Sequence, residues 1–327
     1  MSNQRRLDVD VLRGIGILVM IAGHIEFGGG FYKWSHAFHM PLFFIVSGYF
    51  FNRSFAVESP KRFLEKKIKG LIVPFWILAA ICYVVWLVLK HDSPFWQPLM
   101  SILLFNQSGI PIATAIWFLP CLFFMEVFFL AIVRMQCSDI VNYALVAVLA
   151  GAALIWNCFV GYELPWAIVP ALTGLPFFAV GYVLQKCKLF NFDNLQKSSA
   201  CIWILAIVIA SLLAFCNVAV NVRTGKYGNI LLFYFNAVIL TLGLWGVSAK
   251  AVNWPRMTRF CTFVVDIGRD SILYLCLNQV LITFSKMSIG RILPEETILF
   301  KLTVMLFVVG VTWGVSKYRN GLQIRKQ

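Results

Sequence analysis

The chain is a succession of apolar blocks, each about as long as a bilayer is thick, separated by short polar segments. The blocks cover approximately residues 8–27, 36–52, 70–89, 115–133, 140–158, 166–185, 199–217, 229–248, 264–284 and 297–316. A helix of about 20 residues rises roughly 30 Å, which is the thickness of the hydrocarbon layer. The pattern predicts an all-α, polytopic membrane protein with about ten transmembrane helices in one transmembrane domain over residues 1–327. The first block lacks a small-residue cleavage site and leads directly to further blocks. It is therefore expected to be a first helix behind a short tail, not a cleaved leader. No internal repeat, low-complexity tract or appended soluble domain is expected.

Composition agrees with the pattern. Of the 327 residues, 60% are hydrophobic and only 13% charged, with a mean hydropathy of +0.81. A soluble domain carries about a quarter charged residues, so a soluble fold is excluded. The formal charge of +14 does not indicate nucleic-acid binding, because the 28 Lys and Arg form no continuous basic face. They gather between the blocks instead. With ten spans both termini share a side. The segments on that side run from Arg5 and Arg6 through Arg53–Lys69 to Arg256, Arg325 and Lys326, and they hold nineteen cations. The opposite segments, which include Lys33 and Lys90, hold seven. The positive-inside rule then places both termini in the cytoplasm. The nine cysteines sit mostly within apolar blocks without a CxxC pair, and are expected to be small buried hydrophobes.

Ionisable residues inside a bilayer are costly and point to function. The first block carries Asp10, Arg13 and His24, with Glu26 at its far end. Eleven residues at 100° each is about three turns, so Arg13 and His24 share one helical face roughly 16 Å apart. Asp10, three residues before Arg13, is placed to neutralise it. Glu26 lies about 200° around from His24 and is a poor partner for it. The second block opens with His36 and His39 and continues through Pro41, Ser47 and Gly48, the last two permitting close helix approach. No Cys or carboxylate follows nearby as a third ligand, so no metal is expected. Glu126 lies near mid-membrane in the fourth block, where it needs either a proton or a cation, and Arg13 is a candidate for the latter. In the ninth block Asp266, Arg269 and Asp270 form a cluster that could neutralise itself, ahead of Asn278. The segment Arg53–Lys69 is basic and amphipathic. It suits either a solvated loop that sets topology or a surface helix that meets phosphates.

Taken in order, these pieces resemble the acyltransferase-3 family of integral membrane O-acyltransferases, and most nearly its fucose 4-O-acetylase-like branch. The resemblance rests on the R-x10-H pattern of Arg13 and His24, on Phe38-His39-Met40-Pro41-Leu42-Phe43-Phe44, and on Ser47-Gly48-Tyr49-Phe50-Phe51. It continues through Arg62-Phe63-Leu64-Glu65-Lys66-Lys67-Ile68-Lys69, Trp117-Phe118-Leu119 and Ile267-Gly268-Arg269-Asp270-Ser271. It implies transfer of an acyl group, usually acetyl from cytoplasmic acetyl-CoA, to a hydroxyl of a cell-envelope carbohydrate on the outer face of a bacterial cytoplasmic membrane. His24 is then the catalytic histidine acting as general base, and Arg13 its motif partner. Asp10 and Glu126 are further candidates for the catalytic group. Arg62, Lys66, Lys67 and Lys69, with Arg13 beyond them, would serve the acetyl-CoA. His36, His39, Trp117 and Asn278 are assigned to the acceptor. Members of the family often carry a histidine where this chain has Asn278, and an amide can hydrogen-bond a sugar but cannot act as a base. A transporter of small molecules would use the same intramembrane charges, whereas a non-catalytic scaffold or sensor would leave the Arg13 and His24 geometry as coincidence. The pattern carries no signal for oligomeric state.

Overall fold

The computed structural model describes residues 6–89, 94–188, 190–254 and 258–324. Arg5, Lys90, Arg256, Arg325 and Lys326 of the charge census lie outside the described residues. The described residues are predominantly helical, as the apolar blocks predict. The first half forms α1 (Leu7–Ile25), α2 (Gly29–His36), α3 (His39–Tyr49), α4 (Arg53–Glu58), α5 (Pro60–Lys67), α6 (Val73–Leu89), α7 (Trp96–Leu103) and α8 (Phe118–Arg134). The second half forms α9 (Asp139–Phe159), α10 (Ile168–Lys186), α11 (Phe192–Lys197), α12 (Ala200–Cys216), α13 (Ile230–Val252), α14 (Thr258–Arg269), α15 (Ser271–Ser288) and α16 (Ile298–Ile324). Local chemistry sets several starts. The side chains of Ser138, Asn191 and Asn229 cap α9, α11 and α13 by accepting from backbone N–H groups of the first turn. Glu26 ends α1 in a left-handed conformation, with φ at 65°.

Among the described residues, seven helices are long and apolar enough to cross a membrane. The other three expected spans coincide with α1, which carries Asp8, Asp10 and Arg13, with the 11-residue α3, and with the 17-residue α12. Two expected spans are broken. His36 closes α2, and Ala37 and Phe38 turn the chain so that His39 opens a separate helix. Pro41 then lies in the first turn of α3, where its missing N–H costs nothing. The ninth span breaks at Asp270, between α14 and α15. The basic segment is neither loop nor isolated surface helix, because α5 continues into α6 through a π-helical turn, Ile68–Ile72. Pro74 has no N–H to offer the Gly70 carbonyl, and the widened turn ahead of it is the local accommodation.

The described chain forms two compact units. In the first, α1 is packed against α13, α14, α15 and α16, and α12 lies along α13. Most of α1 is buried, so its polar residues meet protein groups. It meets α14 backbone to backbone: a Cβ on Gly14 would collide with Val264, and one on Gly268 with the Asp10 carbonyl. In the second unit α10 packs against α8 and α9, and the later part of α3 crosses α10 in the same way. Here Gly48 abuts the Phe178 carbonyl and Gly181 the Ile45 carbonyl. Close approach at Gly48 is what the sequence predicts. Small residues at such crossings let dispersion forces act where lipid offers no hydrophobic drive between helices.

The cysteine expectation needs correction. Cys82, Cys121, Cys261 and Cys276 are buried, whereas Cys158, Cys187, Cys201 and Cys216 are exposed. The outward faces of spanning helices meet lipid, so an apolar thiol there needs no cover from protein.

Gly268→Ala is expected to force α14 away from α1 and to cost roughly 1–3 kcal/mol. Thermal unfolding of the detergent-solubilised protein measures this, with Gly310→Ala, whose added methyl meets open space, as the unchanged comparison.

Candidate functional site

Three of the four histidines converge where α1 ends. The His24 ring meets His36 edge-on with centroids 6.3 Å apart, and His36 meets His39 edge-on at 4.7 Å. The turn at Ala37 and Phe38 brings the latter two together from separate helices. Their orientation is set by backbone. His36 Nδ1 lies 2.9 Å from the Tyr32 carbonyl oxygen, and His39 Nδ1 lies 2.8 Å from that of Ser35. A carbonyl only accepts, so each Nδ1 carries the proton and each Nε2 keeps its lone pair. Tyr32 stacks on His36 at 3.8 Å, and Ser35 Oγ lies 3.2 Å from His36 Nδ1. Gly23 permits this assembly: a Cβ there would come within 3.1 Å of Ser35 Oγ and 3.3 Å of His36 Cε1. The Trp34 indole donates to Ser211 Oγ at 2.9 Å and ties α2 to α12. Among the described residues, no three His, Cys, Asp or Glu side chains are disposed as metal ligands.

The other end of α1 is an ionic knot. Asp8, with no solvent exposure, receives two hydrogen bonds from Arg6 at 2.8 and 2.6 Å and one from the Trp245 indole at 2.8 Å. Arg6 also donates to the Phe190 carbonyl and lies over the Trp245 ring. Asp10 is buried, with Arg269 Nε at 3.7 Å. Half-buried Arg13 stands between these carboxylates and the histidines. The Asp266, Arg269 and Asp270 cluster neutralises itself in part, with Arg269 Nη1 3.8 Å from Asp266 Oδ1, and α16 adds further cations. Lys317 pairs with Asp266 at 2.6 Å, and Arg319 and Ser316 both bind Asp270.

In the second unit the basic segment divides. Arg62, Lys66 and Lys69 are exposed and share one side of the helix, while Lys67 turns inward and donates to Glu126 Oε1 at 2.7 Å. Arg13 is the sequence candidate for this cation; the structure supplies Lys67. Glu126 is 2% exposed, and its second oxygen, Oε2, is buried without a hydrogen-bond partner among the described residues. Trp117 is buried and edge-on to Phe118. In the first unit, fully buried Asn278 donates its Nδ2 to the Tyr274 and Leu275 carbonyls, which leaves Oδ1 as an open acceptor.

The sequence reading did not single out Asp8, Trp245, Tyr32 or Ser35. Asp8 carried a signal, being a carboxylate at the mouth of an apolar block. Trp245 carried none, since it looks like any other apolar residue of its helix.

Residues 6–317 match the acyltransferase-3 family, described as Acyltransferase domain. No curated protein and no solved structure matches the chain.

Trp245→Phe removes one donor from a buried carboxylate and is expected to cost about 1.5–3 kcal/mol. Unfolding of the solubilised variant measures it, and unchanged stability would show that Arg6 alone satisfies Asp8.

Proposed function

The chain belongs to the acyltransferase-3 family and is a multi-pass membrane acyltransferase; from that premise we propose that it moves an acetyl group from cytoplasmic acetyl-CoA to a hydroxyl of a cell-envelope carbohydrate. In this reading the protein lies in a bacterial cytoplasmic membrane with both termini inside, and its nearest kin are the fucose 4-O-acetylase-like enzymes. The observation that carries the proposal is the His24 ring grouped with His36 and His39 at one end of α1, with Arg13 on the same helix about three turns away.

His24 acts as the general base. An imidazole with an ordinary pKa of about 6.5 suits proton transfer near neutral pH. The acceptor oxygen attacks the thioester carbonyl carbon as His24 takes the hydroxyl proton. The C–S bond then breaks, and the departing CoA thiolate takes a proton from the imidazolium. His36 and His39 offer Nε2 lone pairs, which accept from neighbouring hydroxyls of the carbohydrate and orient it. Asn278 adds an acceptor in Oδ1 but no base. Exposed Arg62, Lys66 and Lys69 hold the CoA phosphates as charge-assisted donors. Asp10 and Arg13 support α1 below the histidine.

Transfer of labelled acetyl from acetyl-CoA into envelope carbohydrate, followed in membranes, tests the proposal. His24→Ala is expected to lose about 10²–10⁴-fold in rate. Gly23→Ala, which displaces His36, is expected to lose roughly tenfold in kcat with little change in the KM for acetyl-CoA. A fully active His24→Ala enzyme refutes the mechanism. Label carried across the membrane without covalent attachment supports a transporter.

A further inference from the structure

The Lys67–Glu126 pair has a feature that its ion pairing does not explain. A buried carboxylate is expected to have both oxygens hydrogen-bonded, yet Glu126 Oε2 is buried and meets no donor among the described residues. The ammonium beside it is not sealed in: Lys67 is 29% exposed, and one of its three protons goes to Glu126 Oε1. Lys67 also leads directly into the π-helical turn, which packs against α8, the helix that carries Glu126. π turns of this kind frequently mark functional sites. An open acceptor next to open donors is the complement of an amide, which offers one N–H and one C=O side by side.

We propose that Lys67 and Glu126 form a subsite for an amide of the donor's pantetheine arm, with Glu126 Oε2 accepting the amide N–H and Lys67 donating to the amide carbonyl. This rests on acyl-CoA as the donor. The neighbouring cations Arg62, Lys66 and Lys69 lie on the same continuous helix. This stretch of chain therefore meets the phosphates with exposed charge, and meets the arm through Lys67 together with Glu126 of α8. Phe63, buried under the Lys67 ammonium at 5.4 Å, holds that side chain in place.

Binding of two probes to the full-length protein in detergent tests this: CoA, and adenosine 3′,5′-bisphosphate, which lacks the arm. In Glu126→Gln the amide oxygen must stay toward Lys67, so an NH₂ donor replaces Oε2 and opposes the ligand N–H. CoA binding is expected to weaken roughly tenfold to hundredfold. Binding of the bisphosphate should be unchanged, which also shows that the variant is folded. Lys66→Ala should weaken both probes alike. Equal losses for the two probes in Glu126→Gln, or no loss for CoA, overturn the subsite while leaving the acetyl-CoA reading intact. Wild-type protein that binds neither probe overturns the acetyl-CoA reading, and the subsite with it.

Discussion

Asp8 is a carboxylate held away from all solvent, at the end of a helix buried among four others. A bilayer interior supplies no water to satisfy such a group, so protein must do it. Arg6 provides the counter-charge and Trp245 a further donor, and together they join the start of α1 to α13. The position of α1 follows from this anchor at one end and from the glycine crossing with α14 along its length. That helix carries carboxylates at one end, Arg13 above them, and His24 at the far end.

The same constraint explains how the polar residues are grouped. Asp266, Arg269 and Asp270 look self-sufficient on their own segment. Beside the internal Arg269–Asp266 pair, the structure gives Asp266 a lysine, and Asp270 an arginine and a serine, from α16. Helix breaks serve similar ends. The turn at Ala37 and Phe38 costs one span its continuity, but it brings two imidazoles from different helices to within 4.7 Å. Each is held by a backbone carbonyl, so the histidines are oriented by the fold before any ligand arrives. That preorganisation lets a neutral imidazole act as a directed acceptor or base.

In the second unit the cations of one amphipathic segment divide their tasks. Arg62, Lys66 and Lys69 face outward at helical spacing, and Lys67 neutralises a carboxylate that would otherwise be untenable in an apolar bundle, so these four are not equals. A charge count treats the four as equals. Their distinction arises from the phase of the helix and from the π turn that follows Lys67.

The class of protein, the approximate positions of the seven long apolar helices, and the helical spacing of Arg13 and His24 on α1 were legible in the residue order. These depend on hydrophobic length and helical period, both local properties of a segment. The family motifs were likewise local, each lying within a few residues. Which cysteines lie buried was not legible, because apolar residues face either protein or lipid at no cost. Nor were the partners of the buried charges: Trp245 reaches Asp8 across 237 positions, and Lys67 reaches Glu126 across 59. A carboxylate in lipid demands a donor but does not say which one. That choice is made by the packing of helices distant in sequence, where steric fit at a few glycines settles which side chains can meet.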